Sequence, residues 1–161
     1  GIVMKRLLTT VLVALVMGVC GSVIAAETVP LPPVIDVAKP GPDVPDEQAK
    51  FSGEWSGKWD NGCPLVIVVE NIDNLGRAKI VFAQGTWPWN GSAKNPNYPY
   101  WNRLQASFIS NKMTFQRAEN KLFYELYISD KDGTMIVNRT DTRSDSRNAV
   151  YLNSAKLTKT K

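Results

Sequence analysis

The sequence predicts an all-β domain: an eight-stranded antiparallel up-and-down barrel, with a β-sandwich as the alternative. Three observations lead there. From Phe51 onward apolar and polar residues alternate with period 2, and no 3.6-residue period is sustained. Clusters rich in Asp, Asn and Gly interrupt the alternation at short intervals. Eight such runs fit into about 110 residues, and short connections force neighbouring strands to be antiparallel. Closing eight strands removes the exposed edges of a sheet. The interior then holds packed side chains or one small ligand.

The first segment stands outside the fold. Met4 is followed by Lys5-Arg6 and an apolar run from Leu7 to Ala26, broken mainly by Thr9-Thr10 and Gly18. A basic start, an apolar stretch and the small-residue end Ala25-Ala26 predict a signal peptide over 1–26. The product is then exported, either periplasmic or secreted. A retained membrane anchor is the alternative, since the run is near the ~20 residues that span a bilayer. Cys20 suggests lipidation, but that processing needs a small residue before the cysteine, and Val19 is branched. Membrane contact is therefore expected only through an uncleaved anchor or lipidation. With Cys20 removed, Cys63 is the remaining cysteine. It is expected to be buried as a small hydrophobe, the alternative being pairing with another chain.

Residues 27–50 hold six of the ten prolines and read as an extended, Pro-rich linker. A spacer is the expected role, and a docking peptide the alternative. The linker carries five acidic and two basic side chains, the domain over 51–161 ten acidic and 15 basic ones. The basic residues of the domain are scattered, as on the wet faces of strands. Nucleic acid, which wants a basic stripe, is not an expected partner.

The strands follow in order. Phe51–Trp59 sets Phe51, Gly53, Trp55, Gly57 and Trp59 on one face, and Asp60-Asn61-Gly62 turns the chain. Leu65–Ile72 is an apolar, largely β-branched run interrupted by Glu70-Asn71. Arg77–Ala83 points Ala78, Ile80 and Phe82 inward, and Arg103–Ile109 does the same with Leu104, Ala106 and Phe108. Ser110-Asn111 is a two-residue hairpin turn into Lys112–Arg117, with Met113 and Phe115 inward. Lys121–Ile128 points Leu122, Tyr124, Leu126 and Ile128 inward. Asp130-Lys131-Asp132-Gly133 reads as a hairpin turn, since it lacks the later ligands of a calcium loop. Thr134–Thr140 and Ala149–Leu157 complete the set, joined by a polar loop.

The opening Phe51-Ser52-Gly53-Glu54-Trp55-Ser56-Gly57-Lys58-Trp59 carries Gly-x-Trp on a first strand. This resembles the calycin superfamily, the lipocalins and avidins, whose first-strand Trp plugs one end of the barrel. The domain over 51–161 is similar to small calycin-like barrels of exported bacterial proteins, some attached to hydrolases. The resemblance implies the barrel and a tendency to bind small apolar or ring-shaped ligands. It implies no particular site residues.

Chemistry is sought in what remains. The chain has no His, which excludes a Ser-His-Asp triad, a Cys-His pair and His-ligated zinc. Two cysteines cannot build a four-cysteine metal site, and no cofactor or metal is expected. The segment Gln84–Trp101 stands out, with Trp87, Trp89, Tyr98, Tyr100 and Trp101 among stiffening prolines. Long loops in compact domains are often functional, and flat amphipathic rings stack on ligands at low entropy cost. These five are the candidate ligand-binding residues, with a lid completing the core as the alternative role. The expected function is non-catalytic binding of a small apolar or ring-bearing ligand at the barrel end that this loop covers. One alternative is a solid barrel that docks on another envelope or secreted protein. Another is a hydrolase using Glu70, in an apolar strand, or Glu125, between Phe123 and Tyr127.

Overall fold

The computed structural model describes residues 28–86, 99–117, 121–142 and 151–161. The expected signal peptide lies outside them. Eight strands form a closed antiparallel barrel in sequence order: β1 (Gly53–Trp59), β2 (Pro64–Ile72), β3 (Arg77–Gln84), β4 (Tyr100–Ile109), β5 (Lys112–Arg117), β6 (Leu122–Ile128), β7 (Met135–Asp141) and β8 (Tyr151–Lys159). β8 returns to pair with β1, from Trp55↔Lys159 to Trp59↔Ala155. The sandwich alternative is thereby excluded. A four-residue helix, α1 (Asp46–Ala49), precedes the barrel.

Period-2 alternation becomes the wall of the barrel, because successive side chains of a strand point to opposite faces. Trp55, Leu65, Ile67, Ile80, Phe82, Met113, Leu126, Met135 and Leu157 fill the interior, none more than 2% exposed. Each buried side chain of this size stabilises the fold by about 1.5–3 kcal/mol. The lumen's middle layer is aromatic. Phe115 stacks on Tyr124 with centroids 4.6 Å apart, and Phe82 meets both rings edge-on at 5.7 and 5.3 Å. One end is closed by Phe51, whose ring meets Phe108 edge-on at 5.1 Å, and by Val44 and Ala49 around α1. Trp55 is fixed there by donating its indole N–H to the Phe51 carbonyl at 2.8 Å.

The strand bounds differ from expectation in instructive places. Phe51 lies before β1, which opens at Gly53 with φ 114°. The glycines of β1 make room for the backbone of the closing C-terminal segment. A Cβ on Gly57 would come 2.1 Å from the Lys156 carbonyl oxygen, and one on Gly53 2.3 Å from that of Lys161. β4 begins at Tyr100, three residues earlier than Arg103, because Tyr100, Trp101 and Asn102 pair with Gln84, Ala83 and Phe82. The Ser110-Asn111 turn is present between Ile109 and Lys112, and Ser110 adopts the positive φ of 56° that tight hairpins need. The 130–133 turn is closed by Gly133 donating to the Ser129 carbonyl at 2.8 Å.

The largest difference lies outside the barrel. The Pro-rich stretch is extended, as its composition predicts, but it lies against the wall instead of standing away from it. Val29, Leu31 and Ile35 pack with Val66 and Trp101 over Val68, Val81 and Ala83 on the outer face of β2–β4. The Ala38 amide donates to the Glu70 carbonyl at 2.8 Å. Arg103 ties the strap down. Its Nη2 donates to the Val34 carbonyl, and its guanidinium pairs with the buried Glu70 carboxylate at 3.1 Å. Glu70 itself sits at a β-bulge, where the register with β3 shifts between Val69 and Asn71.

Candidate functional site

The sequence predicts that five aromatic residues gather at one end. Trp87, Trp89 and Tyr98 lie outside the described residues. Tyr100 and Trp101 are described, and they face opposite ways. Tyr100 packs against the interior, 6.4 Å from the Phe82 ring. Trp101 packs on the outer wall beneath the strap. Neighbours on a strand cannot line one pocket. Of this pair, only Tyr100 belongs to the barrel end where the 85–99 connection is attached.

That end, the mouth, is where β1, β3, β5 and β7 finish. Its inward positions differ chemically from the rest of the lumen. Counting in phase from Phe82, Phe115 and Val137 brings Gln84, Arg117, Arg139 and Asp141 to the inside of the wall, and from Leu104 back brings Asn102 and Tyr100. Gln84 is buried, and its Oε1 accepts from the Trp59 indole N–H at 3.3 Å. Arg139 and Asp141 form an ion pair of 2.9 Å whose side chains are only 13% and 7% exposed. A pair removed from water to this extent pays for desolvation and is a weak source of stability.

The wall is not uniformly laced at this end. β4 and β5 pair only from Ser107↔Thr114 to Ile109↔Lys112, next to their hairpin. Nearer the mouth the two strands have no paired residues. Along that seam the inward-phase residue Asn102 is exposed, and Tyr100 and Leu104 are half-buried. Arg117 spans the seam. Its Nη1 donates to the Tyr100 hydroxyl, and its Nη2 donates to Asn102 Oδ1 at 2.8 Å. Its guanidinium lies 4.8 Å from the Tyr100 ring centre and 5.2 Å from that of Phe82. Such cation–π contacts are worth about 0.5–2 kcal/mol.

The two carboxylates considered for acid–base chemistry lie on different walls. Glu70 is under the strap with Arg103, and Glu125 is on β6, 42% exposed and 2.9 Å from the Lys112 ammonium. Each sits beside a cation rather than in the wholly apolar surroundings that acid catalysis would exploit. Cys63 is buried just ahead of β2, with its Sγ 3.4 Å from the Gly85 carbonyl oxygen. Among the described residues no three carboxylates or cysteines gather as a metal site would require.

Two open grooves lie along the wall. One, of about 560 Å³, runs beside Asn71, Arg77, Lys79 and Gln105. The other, of about 740 Å³, crosses β5–β8 between Phe123, Leu152, Asn138 and Ser154. The second is also lined by Phe115, Tyr124 and Arg139, three residues of the inward set, so it adjoins the mouth.

The fold thus defines the chain as an eight-stranded up-and-down barrel with a polar mouth. No family model, curated protein or solved structure matches the chain.

Proposed function

We propose that this protein is an exported, non-catalytic barrel that binds a small ring-bearing ligand at its mouth. One observation carries the reading. Polar and charged side chains occupy inward positions at the mouth, next to the half-buried Tyr100 ring, while the rest of the lumen is packed with apolar groups. Burying charge is costly, and a ligand that meets those groups returns part of the cost. The aromatic cluster of Phe82, Phe115 and Tyr124 forms a floor, so the ligand sits at the end rather than deep inside.

The test is native mass spectrometry of the protein purified from its own host. A mass excess that disappears on denaturation is expected. A bare polypeptide mass, with no binder among ring-bearing compounds titrated against tryptophan fluorescence, overturns the reading. A second reading, docking on an envelope protein, is favoured by the β5–β8 groove, where Leu152 is 73% exposed and Phe123 38%. A crosslinked partner lost in Leu152→Asp would support it.

A further inference from the structure

We propose that the ligand of the mouth carries an anionic group, a carboxylate in the first instance, and that Arg117 receives it. The inference rests on the mouth reading and adds the charge of the ligand.

The arginines of the described residues make the case by comparison. Arg77 pairs with Asp73 at 2.7 Å, Arg103 with Glu70 at 3.1 Å and Arg139 with Asp141 at 2.9 Å. Arg117 is the fourth, and it has no carboxylate partner among the described residues. Its two hydrogen bonds go to neutral acceptors, a phenol and an amide oxygen. A guanidinium has five N–H donors in a planar fork. Two are engaged, so the fork retains donors for a bidentate acceptor.

Its setting is fixed in advance. The guanidinium is held against Tyr100 and Phe82 and anchored from β4, so little side-chain entropy remains to be lost on binding. It is half-buried at an inward position, beside the seam where Asn102 is exposed. The inward charges at the mouth are Arg117, Arg139 and Asp141, which leave one positive charge uncompensated among the described residues. A planar acid answers this arrangement on both counts. Its ring lies beside the half-buried Tyr100 ring, and its carboxylate takes the open side of the fork.

The test compares 2-naphthoate with the neutral isostere 2-naphthamide by calorimetric titration into the full chain. The acid is expected to bind about tenfold tighter. That preference should vanish in Arg117→Met, persist in part in Arg117→Lys, and shrink with added salt. Circular dichroism establishes that each variant is folded. If Arg117→Met fails to fold, the lysine variant and the salt series still decide. Equal binding of acid and amide overturns the charge assignment and leaves the mouth reading standing. A preference unchanged in Arg117→Met overturns the role of Arg117. Binding of neither compound overturns both the inference and the reading beneath it.

Discussion

Tyr100 and Trp101 are consecutive in the chain and belong to different compartments of the molecule. The Tyr100 ring lies under the Arg117 guanidinium inside the mouth, and the Trp101 ring lies under the strap outside the wall. Changes at the two positions should therefore separate. Trp101→Ala is expected to cost about 1–2 kcal/mol of stability by removing part of a half-buried indole. It should also speed hydrogen exchange at the Ala38 amide, which marks strap docking. Tyr100→Phe should leave that amide protected and alter only what happens at the mouth. Exchange measured by NMR on both variants checks this, and faster Ala38 exchange in Tyr100→Phe would contradict it.

Glu70 and Arg103 should behave as a unit. Removing Arg103 leaves a buried carboxylate without its cation, and removing both groups leaves neither orphaned. Arg103→Met is expected to lower the denaturation midpoint more than the double change Glu70→Gln with Arg103→Met. Urea unfolding of the single and double variants gives the coupling directly.

Cys63 is 1% exposed, so its thiol should react with an aromatic disulfide reagent only as fast as the structure opens. In a Cys20→Ser background, labelling should be slow in buffer and complete in denaturant. Fast labelling of the folded protein would place the thiol at the surface and reopen intermolecular pairing.

The 130–133 turn gives a pH prediction. Hydrogen bonding from Lys156, then from Thr134, holds the Asp132 carboxyl well below its usual range. A group depressed in the folded state binds fewer protons there than in the unfolded chain. Its contribution is thus fully present above about pH 4 and is lost as pH falls below that. Stability should rise with pH across this acid limb, and Asp132→Asn should flatten the rise. Because the turn is solvent-exposed, screening keeps the effect small, and it should shrink further in high salt. Denaturant midpoints from about pH 2 to 6 would measure it.

The barrel was legible because its wall alternates. Phe82, Leu104, Phe115 and Tyr124 all point where period-2 reading sends them. The strap was not, although the signal existed. Ile80-Val81-Phe82-Ala83 is a continuous apolar run, and such a run means that both faces of the strand are covered. What covers the second face is spread over Val29, Leu31 and Ile35, spaced by prolines and without periodicity. The mouth was half legible. Of the aromatic segment's described rings, Tyr100 faces the interior at the mouth and Trp101 faces the outer wall. Arg117 is one of the domain's scattered basic residues, yet it follows Met113 and Phe115 in phase. The alternation that identified the core also identified the arginine, but position 117 closes the strand, where the pattern has no further residue to confirm it. The β4–β5 seam left no mark in the sequence, since pairing between two plausible strands is decided by their divergence in space.

The strap also decides how the barrel carries load. It runs across β2, β3 and β4 and is pinned midway at Val34 and Ala38. Tension on the chain ahead of Thr28 would reach the clamp of Arg103 and Glu70 before it reached β1. Apolar contacts around Val29 and Leu31 would peel first, one after another, and the ion pair would yield next. The barrel's own hydrogen-bonded ladders would be the last elements to feel the pull.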